Sequence, residues 1–189
     1  MTLPPIPGPK PLVEEIVQHE WEMMMEVVAG RPELCQERPG GFRMMREITN
    51  SVLSPDTLRS YLGELRQARL AGRNLLEEKL ALISAHAPAI RHPFVSRIVA
   101  VETAWMAELS ERFPFTFPGA LSDFARSLEC ELATLSDATV TLLYRDVLIA
   151  REAGRNLERE RYETLFRRLA RGTLEEVEAE ERARVPDTI

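Results

Sequence analysis

Shifted against itself by 82 residues, the sequence matches without a gap. Ile16-Val17 meets Ile98-Val99, Glu20 meets Glu102, Met24 meets Met106, Phe42 meets Phe124 and Glu47 meets Glu129. Leu53-Ser54 meets Leu135-Ser136, and Ala71-Gly72-Arg73-Asn74-Leu75 meets Ala153-Gly154-Arg155-Asn156-Leu157. Nineteen of the 63 positions from 16 to 78 are identical to their mates, about four times what unrelated chains of this composition share. A repeat of this kind constrains the fold more than any single motif does. With 189 residues in all, two units of about 80 residues have room for one shared core and little else.

Each unit reads as helical. Ile16, Glu20, Met23, Met24 and Val27 recur at three- and four-residue steps, as do Ile98, Glu102, Trp105, Met106 and Leu109. Pro/Gly-rich loops follow at 30–41 and 114–119, then shorter helices predicted over about 42–52 and 123–134. Ser54-Pro55-Asp56 sets an N-cap, a proline at N1 and an acid in the first turn, and Ser136-Asp137 stands in the same place in the second unit. The helices starting there reach Gly72 and Gly154. Asn74 precedes Glu77 at capping-box spacing, but Arg159 replaces the glutamate in the second unit, so a break and a continuous helix are both open. No stretch alternates as a strand would.

The expected fold is an all-α, pseudo-twofold helical bundle built from a tandem duplication of a multi-helix unit. Residues 1–11 read as a proline-rich extended arm, 12–86 as the first repeat, 87–94 as a linker marked by Pro88 and Pro93, and 95–171 as the second repeat. Residues 172–189 read as a highly charged, solvated C-terminal helix or tail opened by Thr173, all within one globular domain.

Charge and cysteine usage narrow the classes of function. The net charge of −6 opposes nucleic-acid binding, which draws its affinity from basic residues. Cys35 and Cys130 are far apart with no CxxC spacing, as in a protein of a reducing compartment. The proline-rich start lacks the apolar stretch of a signal peptide, and no run is long enough to span a bilayer. The expectation is a cytoplasmic protein with a protein partner and without nucleic acid or membrane contact.

The first repeat carries Glu15-Ile16-Val17-x-x-Glu20-Trp21-x-Met23, Cys35-Gln36, Phe42, Met45-Arg46, Ser60-Tyr61-Leu62-x-Glu64-Leu65 and Gly72-Arg73-Asn74-Leu75-x-x-Glu78-Lys79. In order and spacing this set resembles the bacterial domain-of-unknown-function family 4125 over nearly the whole chain. The resemblance implies a fold and a residue pattern but no activity. One departure is Leu80, where the family carries an aromatic residue after Glu78-Lys79; here the aromatic stands only in the second repeat, as Tyr162.

The chemical oddity is acids on apolar faces. Glu20 lies four residues from Ile16 and Met24, and Glu102 four from Ile98 and Met106, so each is stacked between apolar neighbours. Asp146 has Leu142, Leu143, Ile149 and Ala150 around it; its mate is Glu64. Glu47 and Glu129 also recur. A carboxylate turned into a core needs a partner.

The simpler partner is arginine: Arg69/Arg151 and Arg73/Arg155 recur and can form buried ion pairs, with Asn74 and Asn156 capping or bridging a helix break. The sharper alternative is a divalent metal, Mn, Fe, Mg or Ca, held by Glu20, Glu102, Glu64 and Asp146, with Glu78 and Glu160 next. The Glu-x-x-His element usual in such bundles is missing, and His19, His86 and His92 have no histidine mates. His19 is expected at a rim, Cys35 is a lone thiol without a histidine partner, and the Met23-Met24-Met25 run reads as packing. Glu22/Glu26 has the spacing of a Mg²⁺-dependent nucleotide hydrolase, yet only Glu26 recurs, as Glu108. Two functions follow: a structural or partner-binding module with buried Arg–carboxylate pairs, or a core that binds a metal or small ligand, with an oxygen-ligand metalloenzyme as its extreme form.

Overall fold

Every described segment is dominated by helix, and no strand occurs among the described residues. The computed structural model describes residues 9–27, 38–85 and 92–184. In chain order the helices are α1 (Pro9–Glu26), α2 (Pro39–Ser51), α3 (Pro55–Leu70) and α4 (Leu75–Ala85). They continue with α5 (Pro93–Arg112), α6 (Leu121–Leu132), α7 (Asp137–Glu152), α8 (Leu157–Arg168) and α9 (Leu174–Arg184).

The start signals act where the sequence puts them. Ser54 and Ser136 accept the backbone N–H of Thr57 and Thr139 at the heads of α3 and α7. Proline opens α1, α2, α3 and α5, where its missing N–H costs nothing. Residues 9–11 are therefore helical rather than part of an extended arm, and 1–8 lie outside the described residues. At the linker, 86–91 lie outside them, while His92 is the N-cap of α5 and Pro93 its first residue.

The open choice at the glycines resolves to a break in both units. Gly72 and Gly154 have φ of +66° and +67°, which an L side chain adopts only at a cost. Around them Arg73 N–H bonds Ala68 O and Gly72 N–H bonds Arg69 O, with Arg155–Ala150 and Gly154–Arg151 in the same pattern, two Schellman endings. The next helix starts at once. Asn74 Oδ1 accepts from Leu76 and Glu77, and Asn156 Oδ1 from Arg159, so the cap forms in the second unit without the glutamate. Each amide also donates to a neighbouring helix, Asn74 to Met23 O at 2.7 Å and Asn156 to Trp105 O at 3.2 Å.

α1 packs on α2, α3 and α4, and α5 packs on α6, α7 and α8. Between these two groups α3 lies on α7, α4 on α6 and α2 on α8. One apolar cluster joins α1, α3 and α4 through Ile16, Met23, Leu58, Leu65 and Leu75; a second joins α5, α6, α7 and α8 through Ile98, Trp105, Leu132, Val147 and Leu157. Met23 and Met24 are core residues, as expected of the methionine run, whereas Met25, the third of it, is exposed.

The C-terminal helix departs from expectation. α9 is docked, not solvated: Leu174 and Val177 are buried with Phe113, Phe117 and Phe166. Glu178, also buried, accepts the backbone N–H groups of Phe115 and Thr116 and the Thr116 hydroxyl, tying the loop after α5 to α9. The high charge of this segment hid an apolar pair, Leu174 and Val177, too short to register as a periodic pattern. Thr173 and Glu176 form the reciprocal capping box that opens it.

Candidate functional site

Glu20 is carried on the core face of α1 and is fully buried. Its Oε1 accepts from Arg46 of α2 at 2.5 Å and from the Tyr61 hydroxyl of α3 at 2.7 Å. The same Arg46 donates to Glu131 of α6 at 3.0 Å, and the second oxygen of Glu131 accepts from Lys79 of α4 at 2.6 Å. Five helices thus meet through Tyr61, Glu20, Arg46, Glu131 and Lys79. Two carboxylates face two cations, and the charges balance. Burial pushes Glu131 up, but Arg46 and Lys79 outweigh it and hold the carboxyl well below the usual range. Burial and the neighbouring Glu20 charge raise the Tyr61 phenol, so it stays a donor.

A second cluster stands between α5 and α8. Arg161 donates to Glu102 at 3.0 Å and to Glu158, one turn back on its own helix. Glu102 and Glu158 are both buried. Here one cation serves two carboxylates. Burial and the adjoining Glu102 lift Glu158 to about 7 against the pull of Arg161.

The two clusters share one cavity of about 260 Å³. Arg46, Tyr61, Lys79 and Glu131 contribute to its lining from the first cluster, and Glu102, Glu158 and Arg161 from the second. The rest is mainly apolar, including Ile98, Phe124, Leu128, Leu132 and Leu165. Arg46 Nε, Arg161 Nε and Glu20 Oε2 are buried without a hydrogen-bond partner. An apolar space with a few fixed polar groups is the ordinary chemistry of a small-molecule site.

The six acids singled out as metal ligands stand in three kinds of environment. Glu20 and Glu102 belong to the two clusters. Glu64 and Asp146 cap helices across the two halves of the chain. Asp146 of α7 accepts the Ser54 N–H at 2.9 Å and the Thr57 hydroxyl at 2.7 Å at the start of α3, while Glu64 of α3 accepts the Ser136 N–H and hydroxyl at the start of α7. Glu78 and Glu160 lie toward the surface in two-bond pairs with Arg73 and Arg155. Those arginines, expected in buried pairs, are about half exposed, because the glycine breaks put them at helix ends. Among the described residues no group of three or more His, Cys, Asp or Glu side chains is placed to hold a metal ion.

The other expectations fall out simply. Glu47 pairs with Arg168, and Glu22 and Glu26 with Arg69, all at the surface. His19 is half-buried between Glu15 and Glu22, Cys130 is buried with its thiol raised by burial, and Cys35 and His86 lie outside the described residues.

The sequence reading did not pair Arg46, Lys79, Glu131, Glu158 and Arg161 with its acids. One signal was available: Lys79 and Arg161 stand 82 positions apart, so a cation recurs at the same offset as Glu20 and Glu102. The others left no trace in the repeat, since Arg46, Glu131 and Glu158 stand opposite Leu128, Thr49 and Leu76.

No helix among the described residues is long and apolar enough to cross a membrane. No curated protein and no solved structure matches the chain. One family does, over residues 10–179, which take in α1 to α8 and the apolar part of α9. The chain belongs to that family, DUF4125, described as a protein of unknown function.

Proposed function

We propose that this protein binds a small, largely apolar molecule in the cavity between the two halves of the chain. The carrying observation is that both buried ionic clusters line one cavity of about 260 Å³ whose remaining surface is mainly apolar. A core that only held helices together would gain by filling that space, because an unfilled void forfeits packing contacts. Buried charges are also an expensive way to hold helices together, since apolar replacements are often as stable. Of the two functional readings the small-ligand form fits best: the acids weighed as metal ligands have arginine, tyrosine or helix-terminus partners.

The reading includes a tandem duplication arranged about a pseudo-twofold axis. In support, each contact within the first group of helices has its counterpart in the second, and the α4–α6 and α2–α8 contacts exchange under the same relation. The ligand would then sit near that axis. A cytoplasmic setting rests on the two well-separated cysteines and on burial of Cys130 as a free thiol.

The test is titration of isotopically labelled protein with benzyl alcohol, 2-phenylethanol and cyclohexanol, read by amide shifts. Shifts centred on Ile98, Leu128, Leu132 and Leu165, abolished by Leu128→Trp with the fold intact, support the reading. Absence of shifts up to millimolar probe, with Leu128→Trp more stable than the parent, makes the cavity a packing void and ends it.

A further inference from the structure

We infer that the ligand of this cavity is a monocation with an apolar body, its ammonium group seated against Glu102 and Glu158. The inference rests on the cavity reading above and adds the charge of the occupant. Four carboxylates, the buried Glu20, Glu102 and Glu158 and the half-buried Glu131, face three cations, Arg46, Lys79 and Arg161. The surplus negative charge lies at the Glu102–Arg161–Glu158 end. Both acids there are buried, both line the cavity, and a single guanidinium nitrogen serves both. In a low-dielectric site an unmatched carboxylate must take up a proton or a cation.

Neighbouring groups leave that role open. On α8, Arg161 is the cation at hand and Tyr162 is neutral, and from α5 only Glu102 faces Glu158. Arg46 of α2 is bonded to Glu20 and Glu131, and Lys79 of α4 to Glu131. Arg168 and Glu47 pair at the surface where α8 meets α2; Glu175 of α9 pairs outside with Arg112 and Arg159. With no ligand the proton takes the place, in line with the raised affinity of Glu158. An incoming ammonium displaces it, so binding releases a proton and strengthens as pH rises through neutrality.

Size fixes the rest. A cavity of about 150 Å³ holds benzene, so 260 Å³ accommodates a ring with a short aminoalkyl arm. The rival feature is the buried Nε–H of Arg161, which has no acceptor and could draw a carboxylate. The charge count opposes it, because an anion would bring a third negative charge to one guanidinium.

The experiment is calorimetric titration of the full chain at pH 6, 7 and 8 with three near-isosteres: 2-phenylethylamine, 2-phenylethanol and phenylacetate. The amine, protonated throughout that range, is expected to bind about tenfold or more tighter than the alcohol at pH 8. Its affinity should fall toward pH 6, with buffer-dependent heat reporting the released proton. Glu158→Gln, which carries the neutral form of the acid, should fold, keep the alcohol and lose the preference for the amine; Glu102→Gln should weaken the preference likewise. Alcohol binding with no gain for the amine overturns the cationic assignment and leaves the cavity reading standing. Phenylacetate binding most tightly overturns it in favour of Arg161. If none of the three binds, both readings fall.

Discussion

At the residue scale the least ordinary group is Glu158, because its folded affinity for a proton is raised and that of Glu131 is lowered. A carboxyl raised to about 7 makes the folded state bind more protons than the unfolded chain between about pH 4.5 and 7. Its stabilising contribution is complete below the unfolded value and is lost as pH rises through the folded one. Glu131 acts in the opposite sense and only in acid, where its protonation would strand Arg46 and Lys79. The melting temperature should therefore rise on going from pH 8 to about 5.5 and fall again below about 4.5. Glu158→Gln should flatten the upper limb, raising the melting temperature at pH 8 while leaving the acid limb in place. An unchanged upper limb in calorimetry would mean that some other group titrates there.

Arg46 is the opposite case, a cation held by two acids. Arg46→Met leaves Glu20 and Glu131 without their common partner and should cost about 3–5 kcal/mol in urea unfolding at pH 7. Losing less than about 1 kcal/mol would show that the buried network holds nothing together. The acids of these clusters were partly legible in the sequence, since Glu20 and Glu102 sit between apolar neighbours on a helix. Their partners were not. A hydrogen bond from Arg46 to Glu131 spans 85 residues, and no local spacing records it.

At the element scale the helix boundaries were readable wherever a side chain makes the boundary. Ser54, Ser136 and Thr173 act as their local chemistry dictates, whereas the sequence left a break and a continuous helix equally open at Gly72 and Gly154, and the positive φ of both glycines decides for the break. The docking of α9 was not readable, because it depends on which distant side chains receive Leu174 and Val177. The end of α8 repeats the Schellman pattern of α3 and α7, with Arg171 N–H on Phe166 O and Ala170 N–H on Arg167 O, but with alanine at the left-handed position. Ala170 has φ +55°, and a Cβ there is strained by about 1 kcal/mol. Ala170→Gly should stabilise the protein by roughly that amount, whereas Gly154→Ala should destabilise it by about as much. Thermal unfolding of the two variants checks both signs; a destabilised Ala170→Gly would place its unfolded-state entropy above the relieved strain.

Across the whole molecule, much of the buried polar chemistry crosses between the halves. Glu131 of the second half pairs with both Arg46 and Lys79 of the first. Asp146 satisfies the head of α3, and Glu64 that of α7. The sequence matches itself at an offset of 82 residues, but that identity is silent on exchange: caps and counter-charges for one half of the chain come from the other. It follows that the halves should not fold independently. A fragment of residues 1–90 would hold Arg46 with one acid instead of two, leave Lys79 without its acid, and expose the faces of α2, α3 and α4 that meet α8, α7 and α6. A fragment of residues 91–189 would keep the Glu102–Arg161–Glu158 cluster but lose the donors of Asp146. Each fragment alone should show reduced helicity at 222 nm and a broad thermal change, and an equimolar mixture should regain a cooperative transition. A sharp, full-amplitude transition in either fragment would make it a self-sufficient domain, and the cavity would then be a seam between two finished bodies rather than a product of their joint folding.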